Sequence, residues 1–168
     1  MQTERIELRN FWMQDIDDVF AYCSQEGVGE NAGWAKHQSV DESRRILRKW
    51  VANENMLAIV YKPTLQVIGH IGIYPDSEER RSDTRELGFA LNRQFQRQGI
   101  MTEAVKLVLS SLSAAGVKYV WACCFQHNIP SKKLIEKCGF SFMQEGVFRS
   151  ESLGREYPSY EYRITLNS

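Results

Sequence analysis

The residues best suited to binding an anion lie in the short turn Gln96–Gly99, between a strand-like run and a long helical stretch. A glycine-containing turn at the first turn of a helix leaves backbone N–H groups unpaired. These donors act together with the positive end of the helix dipole. No Asp or Ser precedes the helix as an obvious N-cap, and Arg97 adds a fixed positive charge. The turn therefore predicts a phosphate site.

The turn alone does not identify the ligand. A single glycine at a strand-to-helix junction is more often simple turn chemistry. The stretch is not a P-loop, because no Gly-Lys-Ser/Thr follows Gly99, and it does not match G-x-G-x-x-G. A nucleotide-binding domain is an alternative that the turn leaves open.

Hydrophobic periodicity predicts the elements that position this turn, in the order β-α-α-β-β-β-α-β-α-β-β. The predicted strands are 4–9, 56–61, 66–74, 86–92, 117–125, 140–150 and 157–166, and the predicted helices are 15–23, 41–53, 97–115 and 128–139. A strand, a helix and a strand on either side of the turn make a parallel crossover, whereas the other connections are hairpin-like. The expected fold is therefore mixed α/β.

Two stretches resemble the GNAT N-acetyltransferases. Gln-x-x-Gly-x-Met-Thr-Glu-Ala at 96–104, after Glu-Leu-Gly-Phe at 86–89, resembles the acetyl-CoA motif of that superfamily. Asn-Ile-Pro-Ser at 128–131, continuing to Cys-Gly-Phe at 138–140, resembles the second motif of the branch that acetylates N-terminal amines of ribosomal proteins. The resemblance covers nearly the whole chain. It implies one N-acetyltransferase domain over 1–168, with a mostly antiparallel sheet, one parallel splayed pair and helices on both faces.

The resemblance also implies how acetyl-CoA is held. The turn grips the pyrophosphate, and the strand after Glu86 splays from its parallel neighbour so that its free edge pairs with the pantetheine amides. The residues expected to bind acetyl-CoA are Phe89, Ala90, Leu91, Gln96, Arg97, Gln98, Gly99, Ile100, Met101, Thr102, Asn128, Ser131 and Lys133. Met101 stands where many families have Gly or Ala, and the ribosomal-protein branch tolerates Met at that position.

Three residues match positions that carry chemistry in the family. Glu86 matches a carboxylate that accepts the proton of the amine, and its small neighbours on the strand face leave room beside it. The structural alternative is that Glu86 pairs with Arg85 or Arg93 or caps the end of the sheet. Glu151 is a second candidate base. Ser131 matches a serine that donates a hydrogen bond to the departing sulfur, because Ile135 stands where many members have the tyrosine donor.

Composition limits the other partners. Lys+Arg and Asp+Glu number 21 each, so nucleic acid and anionic membrane are not expected as partners. No apolar run approaches a membrane span, and the four cysteines form no C-x-x-C, so we expect no metal, no disulfide framework and a reducing cytoplasm. Residues 1–10 show no secretory signal.

The sequence therefore predicts an acetyl-CoA-dependent N-acetyltransferase that works by direct attack of an amine in a ternary complex. The acceptor is either a peptide N-terminus, as in the ribosomal-protein branch, or a small amine such as a polyamine or aminoglycoside. A non-catalytic acyl-CoA-binding module is the alternative from another class. Monomer and homodimer both remain open.

Overall fold

The computed structural model describes residues 1–166. In chain order the elements are β1 (Ile6–Asn10), α1 (Ile16–Cys23), α2 (Val40–Val51), β2 (Met56–Tyr61), β3 (Gln66–Pro75), β4 (Thr84–Leu91), α3 (Ile100–Ala114), β5 (Tyr119–Phe125), α4 (Ile129–Lys137), β6 (Ser141–Ser150) and β7 (Arg155–Thr165). Short 3-10 turns at 13–15, 30–32 and 93–95 lie between them. The predicted order of strands and helices is confirmed.

All described strands form one seven-stranded sheet in the order β1-β2-β3-β4-β5-β7-β6. Only β4 and β5 pair in parallel, and the helix that connects them is α3. Every other neighbouring pair is antiparallel. The predicted mixed sheet with one parallel pair is therefore confirmed, and the parallel pair lies at its centre.

The helices cover the two faces of the sheet. Buried side chains of α3, among them Ile100, Val105 and Val108, pack with Leu87 of β4 in the larger core. On the opposite face, Val19 and Tyr22 of α1 and Leu47 of α2 form a second core with Ala90. Alternate residues of β4 thus enter opposite cores, as the two-residue period of a strand requires.

All four helices begin within three residues of the predicted starts, and two of these starts have a clear structural cause. The third helix begins at Ile100 rather than near residue 97, because Arg97 (φ 61°) and Gly99 (φ 78°) both adopt the left-handed conformation and cannot join the helix. The second begins at Val40, where Ser39 is the N-cap and its hydroxyl accepts the Glu42 N–H at 3.2 Å.

A buried histidine lies between the sheet and α1. His70 is 5% exposed, and its Nδ1 lies 3.0 Å from the Tyr22 hydroxyl. The Trp50 ring packs against the imidazole, with 4.7 Å between centroids. Burial, and then the charge of His37, lowers the pKa of His70 from 6.5 to about 3, so the imidazole stays neutral in the folded protein. His70 is a core residue.

This burial predicts acid sensitivity. Below pH 6.5 the unfolded chain protonates His70 whereas the folded protein does not until about pH 3, so stability falls as the pH falls through that window. The free energy of unfolding should drop by about 1.4 kcal/mol per pH unit from this one group. Urea unfolding between pH 7 and pH 4 measures it.

The matched comparison is His70→Gln, whose amide can still accept the Tyr22 hydroxyl but binds no proton. Because every carboxylate is common to the two proteins, the difference between their pH slopes isolates the histidine. The variant should show the shallower slope. Equal slopes would contradict a neutral buried His70.

Candidate functional site

The turn before α3 presents a row of free backbone donors. Within residues 1–166, the N–H groups of residues 97–102 have no hydrogen-bond acceptor, and the first paired amide of the helix is that of Glu103, which bonds the Gly99 carbonyl at 3.0 Å. No side chain caps this helix. Successive N–H groups around left-handed residues form a concave anion-binding surface. The predicted phosphate site therefore has its donors available.

The N-terminal segment holds this turn in place. Arg5 Nη1 donates to the Gln98 carbonyl at 3.1 Å, and Arg5 Nε donates to Glu103 Oε2 at 2.9 Å. The Thr3 hydroxyl donates to the other oxygen of Glu103. Burial acts to raise the pKa of Glu103, but the bonds from Thr3 and Arg5 outweigh it, and the pKa is lowered. These contacts from Thr3 and Arg5 could not be predicted from the sequence.

The parallel strands separate beside the turn. Pairing between β4 and β5 runs from Thr84 with Tyr119 to Leu87 with Ala122 and stops there. Beyond that point β4 stays paired with β3 up to Leu91, and β5 stays paired with β7. The β5-facing edge of residues 88–91 therefore has no neighbouring strand, and an extended amide chain can add to it. The Leu91 carbonyl on β4 already accepts the Gln96 Nε2–H at 2.9 Å.

A groove of about 790 Å³ joins the turn to the splayed edge. Among the residues expected to bind the donor, those that line it are Phe89, Ala90, Leu91, Gln96, Arg97, Gly99, Ile100, Met101, Thr102, Asn128, Ser131 and Lys133. Gln98 does not line it. The sequence prediction missed Lys137, at the end of α4, and the wall formed by Gly27, Val28, Asn31 and Ala32. Lysines one helical turn apart on α4 offered a signal for Lys137.

Asn128 links the groove wall to α4. Its Oδ1 accepts the Ser131 N–H at 3.2 Å, which makes it the N-cap, and its Nδ2 donates to the Asn31 carbonyl at 3.2 Å. The Ser131 hydroxyl has no hydrogen-bond partner in the described chain and lines the groove. It is available to donate to a ligand.

Glu86 lies just before the splay. It precedes the last parallel pair by one residue, and the Ser77 hydroxyl donates to its Oε2 at 2.8 Å. No arginine pairs with it in the described part of the protein, so the ion-pair alternative is absent there. The expected free space is partly filled, because a Cβ on Gly88 would lie 3.1 Å from the Tyr74 ring. Glu86 does not line the groove.

Glu151 lies apart from Glu86 in the fold. It is exposed in the turn between β6 and β7. This turn contacts the loop after α1, because the Ser150 hydroxyl donates to the Gly33 carbonyl at 2.7 Å and the Ala35 N–H donates to Ser152 Oγ at 3.1 Å. The side chain of Glu151 does not line the groove either.

Three further features of the described residues concern metal ions, membranes and thiols. Residues 1–166 contain no group of three His, Cys, Asp or Glu placed to hold a metal ion. None of the described helices is long and apolar enough to cross a membrane. Burial raises the pKa of Cys123 and of Cys23, so both thiols stay protonated at neutral pH.

The chain is similar in sequence to known acetyltransferases. A family model described as an acetyltransferase (GNAT) domain matches residues 5–141. Among curated relatives, the uncharacterized N-acetyltransferase YoaA of Bacillus subtilis is 27% identical over 172 residues, which cover 98% of this chain and 95% of that protein.

Solved structures agree on the fold. A GNAT-family acetyltransferase from Bacillus anthracis has a TM-score of 0.86 at 19% identity, covering 100% of this chain and 99% of that one. A ribosomal-protein-S5-alanine acetyltransferase from Vibrio fischeri has 0.79 at 16%, covering 100% and 97%. A spermidine N-acetyltransferase from Vibrio cholerae, in complex with CoA and spermine, has 0.78 at 14%, covering 98% and 97%.

The free amides predict a specific effect of Gly99→Ala on ligand binding. A Cβ in the left-handed conformation is strained by about 1–2 kcal/mol, so the turn should relax and move its amides. The dissociation constant for coenzyme A should rise about tenfold or more, as measured by calorimetry. The reason is loss of the pyrophosphate donors.

Gly116→Ala is the matched control. Gly116 has φ 81° at the other end of α3 and nothing within 4 Å of an added Cβ, so it carries the same backbone strain away from the groove. Both variants should lose similar stability, but only Gly99→Ala should weaken binding. Equal affinities in the two variants would contradict the assignment of the turn.

Proposed function

Because this chain belongs to the GNAT acetyltransferase family, we propose that it moves the acetyl group of acetyl-CoA to a primary amine by direct attack in a ternary complex. One observation carries the proposal. Six consecutive unpaired amides, residues 97–102, stand at one end of a groove whose other wall is the unpaired edge of β4. That arrangement fits a diphosphate joined to an extended amide chain.

The chain offers complementary groups along the length of acetyl-CoA. The amides of residues 97–102 take the pyrophosphate, and the side chains of Arg97, Lys133 and Lys137, which line the groove, supply positive charge near it. The edge of residues 88–91 pairs with the pantetheine amides. These contacts place the thioester at the point where β4 and β5 separate.

Transfer needs a neutral amine and a stabilised leaving group. Glu86 accepts the ammonium proton, directly or through water, and the freed nitrogen forms a C–N bond with the thioester carbonyl carbon. As the C–S bond breaks, the Ser131 hydroxyl donates to the sulfur that leaves as thiolate. Glu151 remains the second candidate base, supplied by the turn between β6 and β7.

The acceptor is proposed as an N-terminal amine of a protein, in line with the resemblance to the ribosomal-protein branch. A small amine is the alternative. The similar structures include enzymes named for each kind of acceptor, an S5-alanine acetyltransferase and a spermidine acetyltransferase. Since all share one fold, acceptor choice depends on side chains at the amine end of the site.

Thiol release from acetyl-CoA tests the activity. The acceptor panel contains peptides with free N-terminal Ala or Ser, spermidine and an aminoglycoside. We expect amine-dependent release and an acetylated product by mass spectrometry. Tight acetyl-CoA binding with no release against any amine would instead support the non-catalytic acyl-CoA-binding module.

Substitutions separate the two proposed roles. Glu86→Gln should lower kcat about a hundredfold, the usual size of a general-base effect, with a smaller loss at high pH where the free amine is already neutral. Ser131→Ala should lower kcat about tenfold, in keeping with loss of one hydrogen bond to a charged atom. Neither should change acetyl-CoA affinity by more than about threefold.

Two exposed residues serve as controls. Glu145→Gln changes a carboxylate on β6, and Ser110→Ala changes a hydroxyl on the outer side of α3. Both should keep the parent rate. Wild-type kcat in Glu86→Gln and Ser131→Ala alike would show that the roles are wrongly assigned.

A further inference from the structure

A second carboxylate on the Glu86 face of the sheet has no cationic partner. Glu161 of β7 is 9% exposed, and the buried Ser159 hydroxyl donates to its Oε1 at 2.6 Å. No other hydrogen bond and no Lys or Arg ion pair reaches this side chain from residues 1–166, so Oε2 is unpartnered there. A largely buried carboxylate without a cationic partner costs stability unless solvent or a ligand compensates it.

The sheet register places Glu161 at the splay. Glu161 pairs with Cys123, which is the first β5 residue beyond the last parallel pair, Leu87 with Ala122. Directly paired residues point to the same face, so Glu161 and Cys123 share a face. After burial, the charges of Glu161 and Glu86 are the main causes that raise the pKa of the Cys123 thiol.

The groups around Glu161 supply no positive charge to it. Glu78 and Glu86 face it from the β3–β4 connection and from β4, and Glu78 accepts the Gln144 amide of β6 at 3.1 Å. The nearby Arg163 is already paired with Glu79 at 2.6 Å. Glu161 therefore has no cationic partner in residues 1–166, and the charges that act on it are those of Glu78 and Glu86.

The neighbouring strand leaves space for this carboxylate. A Cβ on Gly146 of β6 would lie 2.6 Å from Glu161 Oε1. Burial, and then the charges of Glu78 and Glu86, raise the pKa of Glu161 above 4.5, although the Ser159 bond opposes the shift. A bound cation would offset both the burial and the repulsion from Glu78 and Glu86, because it pairs with the charged form of Glu161 that burial disfavours.

We propose that Glu161 binds the acceptor as its ammonium ion and so makes the enzyme favour amines that arrive protonated. This inference rests on the proposed function. Glu161 positions the ammonium beside the splay, and Glu86 then takes its proton. The substrate class is a primary alkylammonium, whereas amines that are neutral at pH 7 gain nothing from the residue.

Steady-state kinetics with two probe acceptors test this role. Spermidine is protonated at pH 7.5, and hydroxylamine is neutral. Glu161→Gln should raise the KM for spermidine about tenfold or more, the size expected for a lost bond between charged groups. It should change kcat, acetyl-CoA affinity and the KM for hydroxylamine by less than about threefold.

Two further variants complete the design. Glu161→Asp keeps the charge and should hold the spermidine KM within about fivefold of wild type, even if the glutamine variant folds poorly. Glu156→Gln changes an exposed carboxylate of the same strand, which pairs with Arg149, and should change nothing. A purely structural Glu161 would not distinguish spermidine from hydroxylamine.

The possible outcomes distinguish a failure of this inference from a failure of the proposed function. Unchanged spermidine KM in Glu161→Gln, or equal losses for both probes, would overturn the role of Glu161 while leaving acetyl transfer intact. No acetylation of any amine by the wild-type protein would overturn the proposed function, and the inference with it.

Discussion

The site depends on backbone N–H groups that have no hydrogen-bond acceptor within the described chain. The first turn of any α-helix has amides without intrahelical acceptors, and most helices satisfy some of them with a capping side chain. Here α3 has no such cap, and the two left-handed residues ahead of it, Arg97 and Gly99, extend the row of free amides backward into the turn. A row of this kind can donate several hydrogen bonds to the oxygens of one anion.

The rest of the fold keeps that row aimed along the groove. Arg5, from just before β1, bonds both the turn and Glu103 of α3, so the edge of the sheet fixes the helix start. The central strands diverge after only four paired positions, while each remains paired on its outer side. On β5 the Phe125 ring stacks on Tyr157 of β7 at 4.5 Å, which holds β5 with its outer neighbour.

Much of the fold and of the turn before α3 could be predicted from the sequence, because the signals are local. Element order follows from periodicity within each segment, and the free donors follow from a glycine at a strand-to-helix turn without a cap. The exact helix start was not readable, since Arg97 in the left-handed conformation goes against residue preference. Contacts between distant residues were also hidden, as with Arg5 and Glu103, 98 positions apart. Glu161 escaped notice because its burial and lack of a cation exist only once β5, β6 and β7 are assembled.

Backbone amide NMR on titration with coenzyme A tests the central claim most directly, with pantetheine as the matched ligand that lacks the diphosphate. We predict that coenzyme A shifts the amide resonances of residues 97–102 and protects them from exchange with solvent. Pantetheine should affect residues 88–91 and leave the turn unchanged. Coenzyme A binding that leaves the 97–102 amides unshifted and rapidly exchanging would contradict the account.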